Sequence, residues 1–398
     1  MKVCKTIRDP IHGNIELNEL EVKLIDTPQL QRLRRIRQNG FCYLVYPSMN
    51  STRFEHSLGV LYLADVVADH LDVGNHERET LRVAGLLHDV GHAAFSHTTD
   101  DILMSFGCTH EENAIHIILK TEISKILKTN GIKPKEVVDL ITGKGALGKI
   151  ISSEIDVDRM DYLIRDSHYA GVAYGVIDLE RIIESMRIVD DELVVVKDGL
   201  EAVESLLINR NMMYQTVYRH HTKRIAETMF KQALAVLLKN KKITYKKLMS
   251  MDDADLINRL RNSSGYTKEM MVRLDSRKLF KIAFQEKIGL IAKMFRDDLI
   301  KNQERIQNRI ATELGIRKGF VLLDMPEMKL SEFKIRIQDR KELKLIDEIS
   351  SLARSLEKSE REKLMFCIYT APEYLKKFKK LNLEKYIQFS QTKLGKFV

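Results

Sequence analysis

Residues 85–97 read GLLHDVGHAAFSH, and this stretch places three histidines and an aspartate in a short apolar context. His88 and Asp89 are adjacent and close the C-terminal end of an apolar run with helical spacing. Two neighbouring ligands cannot saturate a metal ion, so further partners must come from elsewhere in the chain. The stretch therefore indicates part of a metal centre at the end of a helix.

Two other segments carry residues of the matching type. RFEHS (residues 53–57) lies upstream, and DVDR (residues 156–159) lies downstream. We expect one divalent cation, with open coordination positions of the kind that a hydrolase needs, to be held by His56, His88, Asp89 and Asp158. Two imidazoles and two carboxylates accept manganese, magnesium, iron, nickel or zinc, so the identity of the metal stays open. A purely structural role is disfavoured because buried polar groups without partners are costly.

Composition describes a folded, soluble chain. Of its 398 residues, 44% are hydrophobic and 30% are charged, which is typical of a globular protein. The net charge of +9 suits an anionic substrate and equally suits attraction to nucleic acid. The four cysteines form no CxxC pair, which disfavours a disulfide framework or a zinc ribbon. Without a signal-like N-terminus or a membrane-length apolar run, we expect a cytoplasmic protein with no membrane association.

The apolar periodicity predicts a mostly α-helical fold. One helix is expected from Thr27-Pro28 to Gly40, a second from about residue 54 to residue 71, and a short hairpin at residues 187–197. Beyond residue 266, charged segments surround short apolar runs, which indicates a smaller α+β domain. We therefore predict two domains, at residues 1–265 and 266–398.

Two further stripes combine charge with phenols. Asp158, Tyr162 and Asp166 share one helical face, with Arg159 alongside; the alternative is an ordinary solvated face. The other stripe lines up Arg210, Tyr214 and Tyr218. Cations and phenols together suit a polyphosphate joined to a sugar or base, although this second stripe taken alone favours a basic surface helix with two half-buried tyrosines.

Five segments together resemble the HD-domain deoxynucleotide triphosphohydrolases, in particular their archaeal and bacterial members and the catalytic core of the vertebrate SAM-and-HD-domain enzyme. They are DPIHG (9–13), TPQLQRLR (27–34), RFEHSLGV (53–60), HDVGH (88–92) and DVDR (156–159). The resemblance covers about the first 225 residues in order and spacing. It implies an HD-domain helical phosphohydrolase core with an N-terminal regulatory segment, followed by a smaller α+β domain for oligomerisation or regulation.

The resemblance also implies a reaction, in which attack at the α-phosphorus splits a dNTP into deoxynucleoside and inorganic triphosphate. His110 matches the general acid for the departing 5′-oxygen, Asp100 would orient its ring, and Glu111 could assist. His92 matches a second active-site histidine. The positions that match substrate-binding residues are Gln38, Arg53, Arg159, Tyr162, Asp166, Arg210 and Tyr218.

Sugar discrimination rests on a few of these positions. Gln38 and Asp166 match residues that bond the 3′-hydroxyl, and Tyr218 matches the tyrosine packed against C2′. The vertebrate enzyme has an apolar residue where this chain has Asn39. An amide near C2′ could soften discrimination against ribonucleotides.

The family is also activated by nucleotides that bind between subunits. Positions matching a guanine-selecting site for GTP or dGTP are Lys5, Asp26, Gln31, Arg34 and Phe54. Such sites bridge chains and can hold additional magnesium with the nucleotides, so the resemblance implies a homo-oligomer, a tetramer or a dimer.

Two alternatives stay open from the sequence. An HD phosphohydrolase could act on nucleoside monophosphates or cyclic nucleotides instead of dNTPs. In the other alternative, the basic surface dominates and the protein binds nucleic acid, a function that could also coexist with hydrolysis as a secondary one.

Overall fold

A computed structural model of the protein describes residues 2–326, 334–383 and 386. The described residues form two compact units that alternate along the chain. The first unit takes its residues from Met1–Arg219, Ile243–Asn258 and Ser331–Arg354. The second takes its residues from His220–Lys242, Arg259–Leu330 and Ser355–Val398. The division into domains at residue 265 stays a prediction.

Helices make up most of the described chain, which confirms the predicted mostly α class with a smaller α+β region. In chain order they are α1 (Glu19–Ile25), α2 (Pro28–Leu33), α3 (Arg53–His70), α4 (Asn75–Leu87), α5 (His97–Met104), α6 (His110–Lys120), α7 (Glu122–Thr129), α8 (Pro134–Ile141), α9 (Gly145–Ile151), α10 (Val157–Ala170), α11 (Leu179–Glu184), α12 (Leu200–Met213), α13 (His221–Lys239), α14 (Tyr245–Ser250), α15 (Asp253–Arg261), α16 (Gly265–Asp275), α17 (Lys293–Lys301), α18 (Gln303–Glu313), α19 (Ile346–Ile349), α20 (Ser351–Lys363) and α21 (Leu375–Phe378). None of the helices described is both long and apolar enough to cross a membrane.

Three small sheets accompany the helices. Their strands are β1 (Lys5–Asp9), β2 (Gly13–Leu17), β3 (Met186–Val189), β4 (Glu192–Val196), β5 (Lys281–Lys287), β6 (Val321–Asp324), β7 (Arg336–Asp339), β8 (Glu342–Leu345) and β9 (Met365–Thr370). In the first unit, β1 and β2 form an antiparallel hairpin, and β3-β4-β7-β8 form a sheet in which β4 and β7 run parallel. In the second unit the order is β5-β9-β6. The hairpin predicted at residues 187–197 is confirmed as β3 and β4.

Helices α3, α4 and α10 form the scaffold that positions the candidate site. The predicted helix at residues 54–71 is confirmed as α3, which packs along α4 and against α10. Val60, Ala64 and Val67 of α3 are fully buried, as expected for its apolar stripe. At about 25 cal/mol per Å² of buried apolar surface, each of the two valines contributes roughly 1.5–3 kcal/mol. The site is therefore built on rigid, buried helices.

The helix predicted from residue 28 to residue 40 is wrong in length, because α2 ends at Leu33. The next residues pair with a neighbouring segment instead of continuing the helix. The Gln38 amide donates to the Ser51 carbonyl at 3.0 Å, and the Arg53 amide donates to the Ile36 carbonyl at 2.9 Å. These long-range bonds satisfy backbone groups that helical periodicity cannot account for. Gly40 begins a short 3₁₀ helix instead of ending an α-helix.

Candidate metal centre and active site

Three helices bring histidines and an aspartate to one point. His56 lies in the first turn of α3, His88 directly follows α4, and Asp158 lies in the first turn of α10. The Asp158 Oδ1 atom lies 2.9 Å from His56 Nε2 and 3.9 Å from His88 Nε2. These three ligand atoms all lie within 4.8 Å of one another. The spacing suits one shared cation.

Asp89 faces the same space. Its Oδ1 lies 3.4 Å from His88 Nε2, and its Oδ2 lies 3.8 Å from His56 Nε2. The Arg53 guanidinium also donates to Oδ2, so this carboxylate is shared between the histidines and an arginine. All four predicted metal ligands thus converge, and their role as ligands stays a prediction.

The protonation pattern of the two histidines fits a metal. His88 Nδ1 lies 2.8 Å from the Gly85 carbonyl oxygen, which can only accept, so this nitrogen carries the proton. His56 Nδ1 likewise donates to Asp161 at 2.7 Å. The opposite Nε2 atoms are buried and face carboxylate oxygens, that of His56 at 2.9 Å from Asp158 Oδ1 and that of His88 at 3.4 Å from Asp89 Oδ1. Two such lone pairs beside two carboxylates are a suitable donor set for a divalent cation.

Electrostatics supports the same interpretation. Burial lowers the pKa of His56, but the carboxylates of Asp158 and Asp161 outweigh this effect and raise that pKa to about 10. Burial opposes the ionisation of Asp89, yet Arg53 and the neighbouring histidines hold its pKa well below the usual range. A negative field that binds a proton this strongly also attracts a metal cation.

A second cluster lies beside the first and carries the predicted proton-transfer residues. The His92 and His110 rings stack with centroids 3.9 Å apart, and His92 Nε2 lies 3.3 Å from Asp89 Oδ1. Asp100 Oδ2 lies 3.3 Å from His110 Nδ1, while Glu111 Oε1 lies 3.3 Å from His110 Nε2. The four residues predicted to act in catalysis therefore lie together. They adjoin the predicted ligands His56, His88, Asp89 and Asp158, which we call the metal cluster.

His97 belongs to this second cluster, although no role for it was predicted from the sequence. Its Nδ1 lies 2.9 Å from Asp100 Oδ2, and its ring lies edge-on to His92 at 5.0 Å. Ligand atoms of His92, His97 and Asp100 also lie within 4.8 Å of one another. The signal was available, since His97 ends the GLLHDVGHAAFSH stretch three residues before Asp100.

The stacked histidines have opposite tendencies to hold a proton. Burial lowers the pKa of His110, but the Asp100 carboxylate outweighs it and raises that pKa overall. Burial and the nearby Arg53 cation place the pKa of His92 well below its ordinary value. His110 is consequently the better proton donor of the pair.

Close packing at Gly91 fixes the start of α6. A Cβ atom at residue 91 would lie only 2.0 Å from the His110 carbonyl oxygen. The Asn113 side chain donates to the Gly91 carbonyl at 2.8 Å. A side chain at residue 91 would therefore clash with the backbone of the helix that carries His110.

The turn before His97 is held in a strained backbone conformation. Phe95 and Ser96 have φ values of 60° and 49°, which non-glycine residues rarely adopt. The Phe95 amide donates to Asp253 Oδ1 at 2.7 Å, and the Ser96 hydroxyl accepts from Arg53 Nε at 2.6 Å. Partners distant in sequence thus stabilise this turn, as is common at functional sites.

Arginines and tyrosines line the adjoining region. Arg53 and Arg159 each have a buried guanidinium nitrogen without a hydrogen bond among the described residues. Arg210 lies over the Tyr214 ring at 4.2 Å. Tyr218 lies edge-on to Tyr162, with ring centroids 6.2 Å apart. A π-helix at Tyr214–Tyr218 follows α12 and sets this arrangement, a feature frequent at functional sites.

Asp166 contacts two other residues that the sequence placed near the sugar, Asn39 and Tyr218. Its two oxygens accept from the Asn39 amide and the Tyr218 hydroxyl, each at 2.7 Å. Burial raises the pKa of Asp166 to about 6. Gln38 Oε1 is buried and makes no hydrogen bond with any described residue. Asn39, where the vertebrate enzyme has an apolar residue, is therefore linked to Tyr218 through Asp166.

The predicted regulatory residues fall into two groups. The Arg34 guanidinium lies 3.6 Å above the Phe54 ring and donates to Gln31 Oε1 at 3.1 Å. Lys5 on β1 and Asp26 after α1 are exposed. Arg34 therefore contacts both Phe54 and Gln31, whereas Lys5 and Asp26 are accessible to solvent.

Comparisons with known proteins identify the family. Residues 177–396, more than half of the chain, match the model described as HD associated region. Residues 53–166, which carry the metal cluster and the second histidine cluster, match the HD domain. The chain belongs to the HD-domain family. The resemblance drawn from the five sequence segments is thereby confirmed.

Proteins similar to this HD-domain protein include sequence relatives and a solved structure. It is 38% identical to an uncharacterized protein of Methanocaldococcus jannaschii, covering 96% of this chain and 82% of that one. It is 30% identical to the human deoxynucleoside triphosphate triphosphohydrolase SAMHD1, covering 84% of this chain and 62% of that one. A phosphohydrolase structure from Bacteroides thetaiotaomicron matches with a TM-score of 0.75 at 26% identity, covering 92% of this chain and all of that one (100%). These findings support phosphohydrolase activity.

Proposed function

We propose that this HD-domain protein is a metal-dependent triphosphohydrolase that splits dNTPs into deoxynucleoside and inorganic triphosphate. One observation supports this most. Asp89 Oδ1 of the metal cluster lies 3.3 Å from His92 Nε2 of the second cluster, and Arg53 beside them has a buried guanidinium nitrogen with no hydrogen bond among the described residues. A phosphate chain would supply the missing acceptor for that nitrogen.

The proposed reaction joins a water oxygen to the α-phosphorus and breaks the bond from phosphorus to O5′. A divalent cation bound by His56, His88, Asp89 and Asp158 would supply Lewis-acid polarisation and a water that is nucleophilic at neutral pH. Arg53 and Arg159 bind the phosphate oxygens and offset their charge. His110 donates its proton to the departing O5′, and Asp100 orients the ring.

A pH profile tests the roles of His110 and Asp100. Only protonated His110 can donate, so activity should fall as the pH rises through the pKa of His110. His110 faces Asp100, Glu111, His92 and His97, and Asp100 is the main group that raises its pKa. Asp100→Asn should therefore shift the alkaline limb of kcat to lower pH. An unshifted limb would contradict the role of Asp100.

Substitution of Asn39 tests the sugar pocket. Asn39→Leu should raise the ratio of kcat/KM for dGTP over GTP by about tenfold, because a leucine side chain would fill the space beside C2′ and exclude a 2′-hydroxyl. Asn39→Ala is the matched control, since it removes the same bond to Asp166 without filling the space. Equal ratios in the wild type and the leucine variant would show that Asn39 does not face C2′.

Regulation and assembly are part of the proposal. Activation by GTP or dGTP would use Arg34, Gln31 and Phe54 together with Lys5 and Asp26, in a homotetramer or a homodimer. Hydrolysis of dCTP with and without GTP, together with sedimentation of the same samples, tests this. Unchanged rate and unchanged mass upon GTP addition would contradict it.

Product analysis separates the alternatives. Purified protein is incubated with Mn²⁺ and each dNTP or NTP, and anion-exchange chromatography identifies the phosphate product. Intact triphosphate supports the proposal. Orthophosphate, or turnover only of monophosphates or cyclic nucleotides, would favour another phosphohydrolase activity. Tight, salt-sensitive RNA binding that survives His88→Ala would favour a nucleic-acid-binding protein.

A further inference from the structure

A buried carboxylate lies directly behind the predicted metal ligand His56. Asp161, on α10, is fully buried. Its Oδ2 lies 2.7 Å from His56 Nδ1, and its Oδ1 lies 2.6 Å from His12 Nε2. One carboxylate therefore bridges two histidines, one at the metal cluster and one in the turn of the β1–β2 hairpin.

A buried arginine fixes this carboxylate from the other side. Arg165 donates to both oxygens of Asp161 at 2.9 Å and to Asp9 Oδ2 at 2.8 Å. Both aspartates and Arg165 are buried, and the two carboxylates outnumber the one guanidinium. The excess negative charge in this network is directed towards the Nδ1–H of His56. A hydrogen bond of this kind fixes the orientation and tautomer of a metal-binding imidazole and increases its basicity.

The hairpin turn is shaped to present His12. Asp9 Oδ1 accepts from the amides of Ile11 and His12, both at 2.9 Å. The His12 ring stacks on Tyr62 of α3, with centroids 4.9 Å apart. These contacts anchor the turn against the same helix that carries His56.

The packing of α3 is also fitted to the carboxylate. A Cβ atom at Gly59 would lie 1.8 Å from Asp161 Oδ1 and 2.5 Å from an Arg165 nitrogen. Gly59 lies three residues after His56, on the same helix. The absence of a side chain there lets Asp161 reach Nδ1 of His56.

We propose that Asp161 is a positioning residue for the metal ligand His56, and that His12 holds Asp161 in place from the hairpin turn. This rests on the proposed metal centre, since it concerns how tightly that centre binds its cation. The β1–β2 turn then sets metal affinity without contacting the metal. If the network served stability alone, its loss would lower the melting temperature and leave metal affinity unchanged.

Mn²⁺ binding by the full-length, chelator-stripped protein distinguishes the two roles. Asp161→Asn should weaken the calorimetric Mn²⁺ affinity by about 10- to 100-fold, the usual range for the loss of such a hydrogen bond. His12→Ala should weaken it in the same direction, by about tenfold or less. His12→Gln should restore part of the loss, because its amide can still donate to Asp161.

Glu21→Gln is the matched control. Glu21 is fully buried and accepts from Arg82 at 2.6 and 2.9 Å, so its loss also breaks a buried ion pair. This variant should lower the melting temperature while Mn²⁺ affinity stays at the wild-type value. An Asp161→Asn protein that behaves like Glu21→Gln would overturn the inference. Should Asp161→Asn not fold, unchanged affinity in His12→Ala would overturn it equally.

The failure of the metal centre itself gives a different result. If the Asp158→Ala protein binds Mn²⁺ as tightly as the wild type does, the proposed centre is wrong. If Asp158→Ala abolishes binding while both Asp161→Asn and His12→Ala keep wild-type affinity, the centre stands and the positioning role is wrong.

Discussion

Replacing Asp158 with alanine is expected to reduce triphosphate release by about a thousandfold or more, equivalent to ~4 kcal/mol of transition-state stabilisation. Its Oδ1 approaches both His56 Nε2 and His88 Nε2, so its loss removes the carboxylate shared by the cluster. The Asp158 side chain is 35% exposed, so we expect the fold to persist. Triphosphate chromatography, bound-metal analysis and thermal unfolding monitored by circular dichroism provide the measurements.

Glu180→Ala provides the control for this variant. Glu180 is an exposed carboxylate in the first turn of α11, as Asp158 lies in the first turn of α10. It should keep both metal content and activity. Near-normal turnover by folded Asp158→Ala protein would remove Asp158 from the metal site.

Substitution of His110 by glutamine should lower kcat by about 10²- to 10⁴-fold and change KM little. The nucleoside 5′-oxygen is a poor leaving group, so the loss of the proton donor slows its departure. An aryl triphosphate, whose phenolate leaves without a proton, should lose much less activity. Steady-state kinetics on both substrates measure this difference.

His116→Gln is the control on the same helix, because His116 of α6 is exposed and lies beyond the first turn. It should retain full activity on both substrates. Equal losses by His110→Gln on the nucleotide and on the aryl ester would exclude proton donation to the leaving group.

Much of the site could be predicted from short motifs. His88 and Asp89 are adjacent, and helical spacing correctly placed Asp158 on a common face with Tyr162 and Asp166. Local spacing fixes such relations once a helix forms. The predicted convergence of His56 with these residues rested on matching ligand types in separate segments and on the family resemblance, since nothing local joins α3 to α10.

Other features depend on long-range contacts and were missed. Asp161 falls off the Asp158 stripe, on a side of α10 left to packing, and only tertiary structure places it between His56 and His12. Asp253 supports the Phe95 turn from more than 150 residues away in sequence. The end of α2 at Leu33 likewise depends on pairing with residues 51–53. Periodicity carries no information on such partners.

Hydrolysis of dGTP in H₂¹⁸O most directly tests the proposed function. Attack of water at the α-phosphorus with loss of O5′ places one ¹⁸O atom in the inorganic triphosphate and none in deoxyguanosine. Mass spectrometry of both products after a single turnover with Mn²⁺ measures this. We expect labelled, intact triphosphate and unlabelled deoxyguanosine. Labelled deoxyguanosine, or label found in orthophosphate or dGMP, would contradict the proposed reaction.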